Sequence, residues 1–217
     1  MNTQRVQENY IMSRDEKEAF VDVIRRFPWL YTPILQQLEA YIQNGNTLVD
    51  IGCGDGYLLQ LIHEKFPALK LTGVDVDSFM IDRARRLPFT FINTGVEDFS
   101  STADIIISNL ALHHFQQPQT ILTKLYSLAK NVLIISDQIR PQTVSELQTR
   151  LTKRKEMVGE NDVLYYRESE EQSILEAYNK NEIIDLFTTL ALQYKIYFYD
   201  TDYYERFVAV FEKDNRM

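Results

Sequence analysis

The sequence predicts an α/β fold, an open and mostly parallel sheet with helices on both faces. Three observations predict it. Short apolar runs alternate with amphipathic, helix-length segments between residues 47 and 136. Strands joined through helices lie parallel and are covered on both sides. The first run, Thr47-Leu48-Val49-Asp50-Ile51, ends in a cluster of glycines, as a buried strand does where it turns into a helix. Near the C-terminus, QYKIYFYD and RFVAVFE are two further strand-like runs joined by a short turn, which reads as a hairpin at one side of the sheet.

Residues 14–44 read as helical. Ala19, Phe20, Val23, Ile24 and Phe27 recur at helical spacing, which marks one buried face. Pro28 breaks that helix, and Pro33 can open a second one carrying Ile34, Leu35, Leu38, Tyr41 and Ile42 before Gly45 stops it. After the first strand a helix runs from about Asp55 to Phe66. KLTGVD is the second strand, residues 77–86 the second core helix with Asp77 as its N-cap, and FTFIN the third strand. DIIIS (104–108) is the fourth strand, a helix follows near 118–129, and NVLIIS (131–136) is the fifth. Residues 137–181 interrupt the rhythm with a polar, helix-prone segment. Residues 182–192 return to a helix with Ile183, Ile184, Leu186 and Phe187 inward.

Composition removes some function classes. With 217 residues, 45% hydrophobic and 25% charged, the chain can bury a sizeable core. Its net charge is −8, from 23 Lys and Arg against 31 Asp and Glu, which disfavours a nucleic-acid partner. A single cysteine, Cys53, excludes an internal disulfide and suits a reducing, cytoplasmic setting. No apolar run approaches the roughly 18 residues of a membrane span, and the N-terminal MNTQRVQENY lacks a signal-peptide core. No membrane partner is expected, and the oligomeric state, a homodimer included, is open.

The strongest chemical signal is Asp50-Ile51-Gly52-Cys53-Gly54-Asp55-Gly56, at the turn from the first strand into the first core helix. Glycines permit the tight turn and let a ligand approach the backbone. Open α/β sheets bind ligands at the carboxyl ends of such strands. A dinucleotide fingerprint would place its third glycine at position 57, where Tyr57 stands. Asp50, two residues before the first glycine, suits a cationic ligand better than a pyrophosphate. Asp75 ends the second strand, 19 residues past Gly56, where a carboxylate can accept hydrogen bonds from ribose hydroxyls. A ribose with a positively charged tail describes S-adenosylmethionine.

LVDIGCGDGYLL followed by LTGVDVDSFMIDRAR resembles the first two motifs of the class I S-adenosylmethionine-dependent methyltransferases. TGVEDF (94–99) is similar to the third, ADIIISNLALHHF (103–115) to the fourth, and NVLIISD (131–137) to the strand after it. The resemblance implies a Rossmann-like, seven-stranded, mostly parallel sheet with a reversed C-terminal strand. It implies that Asp50 and the Gly52–Cys53–Gly54–Gly56 loop hold the methionine portion of the cofactor, and that Asp75 takes the ribose hydroxyls. Val76 and Val96 would meet the adenine, and Asn109 would lie beside the methionine moiety. Gly95 stands where the family often has an acidic residue for the adenine amino group; Glu97, Asp98 and Asn93 are the candidates to replace it.

On this reading the chain is one domain. It comprises an N-terminal helical segment (1–45), a cofactor-binding core (46–136), a helical insert serving as substrate lid (137–181), and a C-terminal helix and hairpin (182–217). The acceptor would be a small molecule. The alternatives are a macromolecular acceptor, protein or tRNA, and a protein that binds the cofactor without turnover.

Other residues admit two readings each. His113 and His114, after the fourth strand, would be a general base, since imidazole titrates near neutrality, or would only shape the pocket. Cys53 reads as a small packing residue in the loop. Arg150, Lys153, Arg154 and Lys155 would hold a phosphorylated substrate or form a solvated helix face. Tyr165 and Tyr166 would line the pocket or pack the lid. No metal ligand set is expected.

Overall fold

The computed structural model describes residues 2–6, 12–159, 169–201 and 203–213. Seven strands form one sheet: β1 (Thr47–Ile51), β2 (Lys70–Asp75), β3 (Thr90–Asn93), β4 (Ala103–Asn109), β5 (Ala129–Gln138), β6 (Lys195–Asp200) and β7 (Glu205–Glu212). Their order is β3-β2-β1-β4-β5-β7-β6. The β1, β2, β3, β4 and β5 pairings are parallel, and β7 runs antiparallel to both β5 and β6. The reversed strand expected near the C-terminus is β7.

Strand parity divides the core into two layers, because successive side chains of a strand point to opposite faces. Val49 and Ile51 of β1, Ile106 of β4, and Phe207, Ala209 and Phe211 of β7 face one layer. Leu48, Ile105, Ile107, Val208 and Val210 face the other. The crossover helices are α3 (Tyr57–Lys65), α4 (Ser78–Ala84), α5 (Pro118–Leu128) and α8 (Lys180–Thr189). Burying both faces of a sheet leaves its carboxyl edge as the open side. Strand order reverses between β1 and β4, so the crevice for a ligand lies above those two strands.

Most of the remaining helices border that edge, and the one after the 3₁₀ turn packs on β5 and β7. Helix α1 (Arg14–Arg25) starts at a capping box, with Ser13 and Glu16 satisfying each other's backbone N–H groups. A 3₁₀ turn over Pro28–Tyr31 leads into α2 (Thr32–Glu39). Helix α2 thus ends before Tyr41 and Ile42, which follow it as half-buried residues packed on the core. The insert contains α6 (Val144–Val158), capped by Thr143 and Glu146, and α7 (Ser169–Glu176). Tyr165 and Tyr166 lie outside the described residues. Ile184 is 41% exposed rather than inward; Ile183, Leu186 and Phe187 complete that face of α8 without it. No helix among the described residues is long and apolar enough to cross a membrane.

Buried Arg140 ties the insert to its surroundings. Its guanidinium donates to the carbonyls of Thr3 and Ala177 and forms a two-pronged ion pair with Glu182 at 2.6 and 2.8 Å. One side chain thereby fixes the N-terminal strap, α7 and α8 to the end of β5.

Candidate active site

A cavity of about 610 Å³ sits over the carboxyl ends of β1, β2 and β4. Its walls include the glycine loop, Asp75 to Asp77, residues 94–97, the turn after β4, α1, and the ends of α6 and α7. Of the residues expected from the sequence to hold a cofactor, Asp50, Gly52, Cys53, Gly54, Asp75, Val76, Val96, Glu97 and Asn109 line it, and Gly56 does not.

The three loop glycines all have positive φ, +75°, +54° and +79°, in the left-handed region that an L side chain resists. Their surroundings differ. A Cβ on Gly52 would lie 2.5 Å from the Ala111 Cβ, and one on Gly56 would lie 2.9 Å from Phe91. Those two permit close packing. A Cβ on Gly54 would meet nothing within 4 Å, so Gly54 keeps the cavity side of the loop clear. The Gly54 N–H donates to Asp75 Oδ2 and the Asp77 N–H to Asp75 Oδ1, both at 2.8 Å. These bonds clamp the Asp75 carboxylate across the tips of β1 and β2. Burial raises its pKa above the ordinary carboxylate range, against the pull of the two N–H groups. Asp77 caps α4 through the N–H groups of Phe79 and Met80, as expected.

Asp50 is the unusual group. It is only 2% exposed, and its Oδ1 has no hydrogen-bond partner among the described residues. Burial, with the Asp75 charge adding to it, pushes its carboxyl up to about 8. A buried acceptor left unmatched costs free energy on the order of 1–3 kcal/mol, so the site favours a ligand that brings a donor. Asn109 Oδ1 is a second such buried acceptor in the same wall. Val76 is 74% exposed although apolar, as suits a residue that a flat ring would cover. Two acceptors, a clamped carboxylate, an open glycine and an uncovered valine fit the amino group, diol and base of an adenosyl amino acid.

Glu97 lies in the wall and Asp98 does not. A Cβ on Gly95 would come within 3.0 Å of the Glu97 carboxylate. The Glu97 carboxylate therefore reaches the space beside Gly95. Asn93 is engaged elsewhere, donating to the carbonyls of Asp75 and Val76. Buried Cys53 packs beside Gly73, and burial raises its thiol far above the ordinary value, the Asp50 and Asp75 charges adding to this. It is a packing residue.

The end of the cavity away from the glycine loop is built from distant segments. Helix α1 contributes Lys17, Phe20 and Ile24, and two ion pairs moor it over the cleft: Arg25 to Asp55 and Lys17 to Asp77, both at 2.5 Å. His113 and His114 occupy a 3₁₀ turn after β4. His113 is buried, with Nδ1 2.9 Å from both oxygens of buried Asp137, while its backbone N–H donates to Oδ2. Burial of Asp137 acts to raise its pKa, but the adjacent His113 and the N–H donors outweigh this and hold it below the ordinary range. His114 Nδ1 lies 3.2 Å from buried Glu176. Sequence reasoning missed Ser173 and Glu176 in the wall, and Asp137 and Arg5 behind it against His113. Of these only Asp137 carried a local signal, as the last residue of NVLIISD. Of the basic run, Arg150 pairs with Asp200 and Glu205, and Arg154 with Glu170. Arg154 reaches the cavity wall.

The fold and this site define a nucleoside-binding α/β domain with the class I methyltransferase strand order. A profile described as a methyltransferase domain matches residues 49–131. Malonyl-[acyl-carrier protein] O-methyltransferase of Anoxybacillus flavithermus is 34% identical over 94 residues, covering 41% of this chain and 36% of that protein. The enzyme of the same name from Priestia megaterium is 28% identical over 167 residues, 73% of this chain and 60% of that protein. The chain therefore spans from about a third to three fifths of these relatives. Among solved structures, the plantazolicin methyltransferase BpumL with S-adenosylhomocysteine (SAH) and a desmethylplantazolicin analogue superposes with a TM-score of 0.72 at 19% identity, covering 92% of this chain and 91% of that one. Magnesium protoporphyrin IX methyltransferase of Synechocystis, solved with the methyl donor, gives 0.58 at 14%, covering 95% and 88%. The chain is similar to the class I S-adenosylmethionine-dependent methyltransferases over residues 49–131 and shares their fold.

Proposed function

We propose that this protein is an enzyme that transfers a methyl group from S-adenosylmethionine to a small-molecule acceptor. The observation that carries the reading is Asp50, a buried carboxyl with an unmatched oxygen at the tip of β1, next to clamped Asp75. When bound, S-adenosylmethionine supplies a methyl group already activated on a sulfonium.

The protein's own residues then have limited tasks. Asp50 and Asn109 accept hydrogen bonds from the ligand's amino group, and Asp75 accepts from the ribose hydroxyls. Glu97 accepts from the adenine amino group, between Val76 and Val96. A carboxyl held near 8 when alone ionises more readily beside a bound cation, so cofactor binding would release a proton from Asp50. Helices α1, α6 and α7 exclude water and align the acceptor. Alignment of two reactants contributes roughly 7–11 kcal/mol, so the reaction needs no covalent intermediate on the protein. His113, braced by Asp137, and His114, beside Glu176, are placed to take a proton from an acceptor that must lose one.

The apolar part of the wall, Phe20, Ile24, Phe27, Leu30 and Met157, supports a small organic acceptor. Pockets of this volume enclose drug-sized molecules. A single buried cysteine, Cys53, suits the cytoplasm. The test is transfer of an isotopically labelled methyl group to a panel of small carboxylic acids, thioesters, phenols and amines. Label incorporated by the wild type and lost with Asp75→Ala supports the reading. Equal incorporation by both would contradict it.

A further inference from the structure

We infer that His113, His114 and Glu176 form a binding site for one divalent transition-metal ion at the acceptor end of the cavity. One donor atom from each of the three lies within 4.8 Å of the others, and all three residues line the cavity. Among the described residues no other trio of His, Cys, Asp or Glu meets that spacing.

The surrounding contacts are those that prepare an imidazole for a metal. His113 Nδ1 faces Asp137 at 2.9 Å. A carboxylate at Nδ1 favours the tautomer with its proton there and its lone pair on Nε2. Metal-bound histidines almost always have such a carboxylate or carbonyl behind them, which fixes the tautomer and the ring. The backbone N–H of His113 binds the same carboxylate, so the ring is held from two sides. The Nε2 atom lies 3.4 Å from the Ser173 hydroxyl. The two imidazoles lie with centroids 3.9 Å apart and planes at 46°, an arrangement forced by their place on a single 3₁₀ turn. Glu176, at the end of α7, already faces His114 Nδ1 at 3.2 Å.

Charge supports a dication. Asp137 and Glu176 are two buried carboxylates within this cluster. Among the described residues Arg5 adjoins it: its guanidinium donates to the carbonyls of Glu176 and His113 and lies 3.8 Å from the Tyr178 ring centre. Two imidazoles and one carboxylate with an open side suit zinc, iron, cobalt or manganese rather than the oxygen-seeking magnesium. The open side faces the cavity, so the ion would hold an acceptor's oxygen there and activate it in place of the two imidazoles, whose lone pairs the ion would occupy. That use rests on the transferase reading; the binding of the metal does not.

The test uses tag-free, full-length protein stripped of metal, titrated with zinc(II) by calorimetry and with cobalt(II) by visible absorption. The expected result is one equivalent bound per chain, with ligand-field bands in the cobalt spectrum. His114→Ala, a half-exposed position, is expected to fold with unchanged thermal stability and to abolish the bands. Glu176→Gln is expected to weaken binding at least about tenfold, as is Asp137→Asn, since loss of a supporting partner costs 10–100-fold. Failure of the native chain to bind one equivalent would overturn the proposal. So would cobalt bands that persist in folded His114→Ala. S-adenosylmethionine is titrated separately into the same metal-free protein, so loss of cofactor binding and loss of metal binding are read independently.

Discussion

The two ends of the cavity are built differently. The cofactor end consists of strand tips and one loop: Asp50, Gly52, Gly54 and Asp75 fall within 26 residues of sequence, and backbone hydrogen bonds position them. The acceptor end consists of side chains from the N-terminal strap, α1, the turn after β4, the end of β5, and the insert. Arg5, Phe20, His113, Asp137, Met157 and Glu176 meet there only because the chain folds. The first end is dictated by what a sheet edge can do. The second is held by ion pairs and buried carboxylates, and so is free to change from one acceptor to another.

Breaking the first end should cost the most. Gly52→Val adds a Cβ 2.5 Å from Ala111 at a φ of +75°. The expected loss is about 3 kcal/mol or more in urea unfolding, from overpacking and left-handed strain together. Gly54→Ala meets nothing. It should fold with a loss of only about 1 kcal/mol, yet bind S-adenosylmethionine at least about tenfold more weakly in calorimetry.

Asp50 gives the comparison a sign. Its folded-state pKa lies above its ordinary value of 3.8, at about 8. The stability linked to its proton is therefore fully present below about 4 and is lost as the pH rises through about 8. Asp50→Asn should raise the stability of the ligand-free protein at neutral pH, on the order of 1–3 kcal/mol, and flatten that loss in thermal scans across pH. The same variant should bind the cofactor less tightly.

Asp137, at the other end, should behave oppositely. Its pKa is held low, so its contribution is present above the ordinary carboxylate range and disappears as the pH falls through the depressed value. Acid unfolding followed by circular dichroism should shift to higher pH in Asp137→Asn. Smallest of all, Phe20→Ala and Met157→Ala should raise the acceptor KM roughly threefold to tenfold, the effect of uncovering one apolar side chain, with cofactor affinity within about twofold of wild type.

The same contrast explains what the sequence revealed. The seven strands, the reversed β7 and the loop glycines were legible because their signals are local: parity, glycine at positive φ, an acid at each strand tip. Residues after the third motif were partly legible, since Gly95 pointed to a missing acid but only the fold shows Glu97 reaching the space beside it. Glu176 and Ser173 were not legible. Neither has a spacing that distinguishes it on a polar helix, and their role appears only when α7 docks beside His113. Ile184 failed for the converse reason. Helical periodicity placed it inward, yet α8 meets the sheet through a narrower stripe.

The most direct test is calorimetry of wild type and Asp75→Ala with S-adenosylmethionine, its demethylated product and NAD. Micromolar binding of the first two, weakened about a hundredfold in the variant by loss of a charged double acceptor, with no response to NAD, is the expected result. Binding of NAD, or of S-adenosylmethionine with equal affinity in both proteins, would contradict the assignment of the cavity.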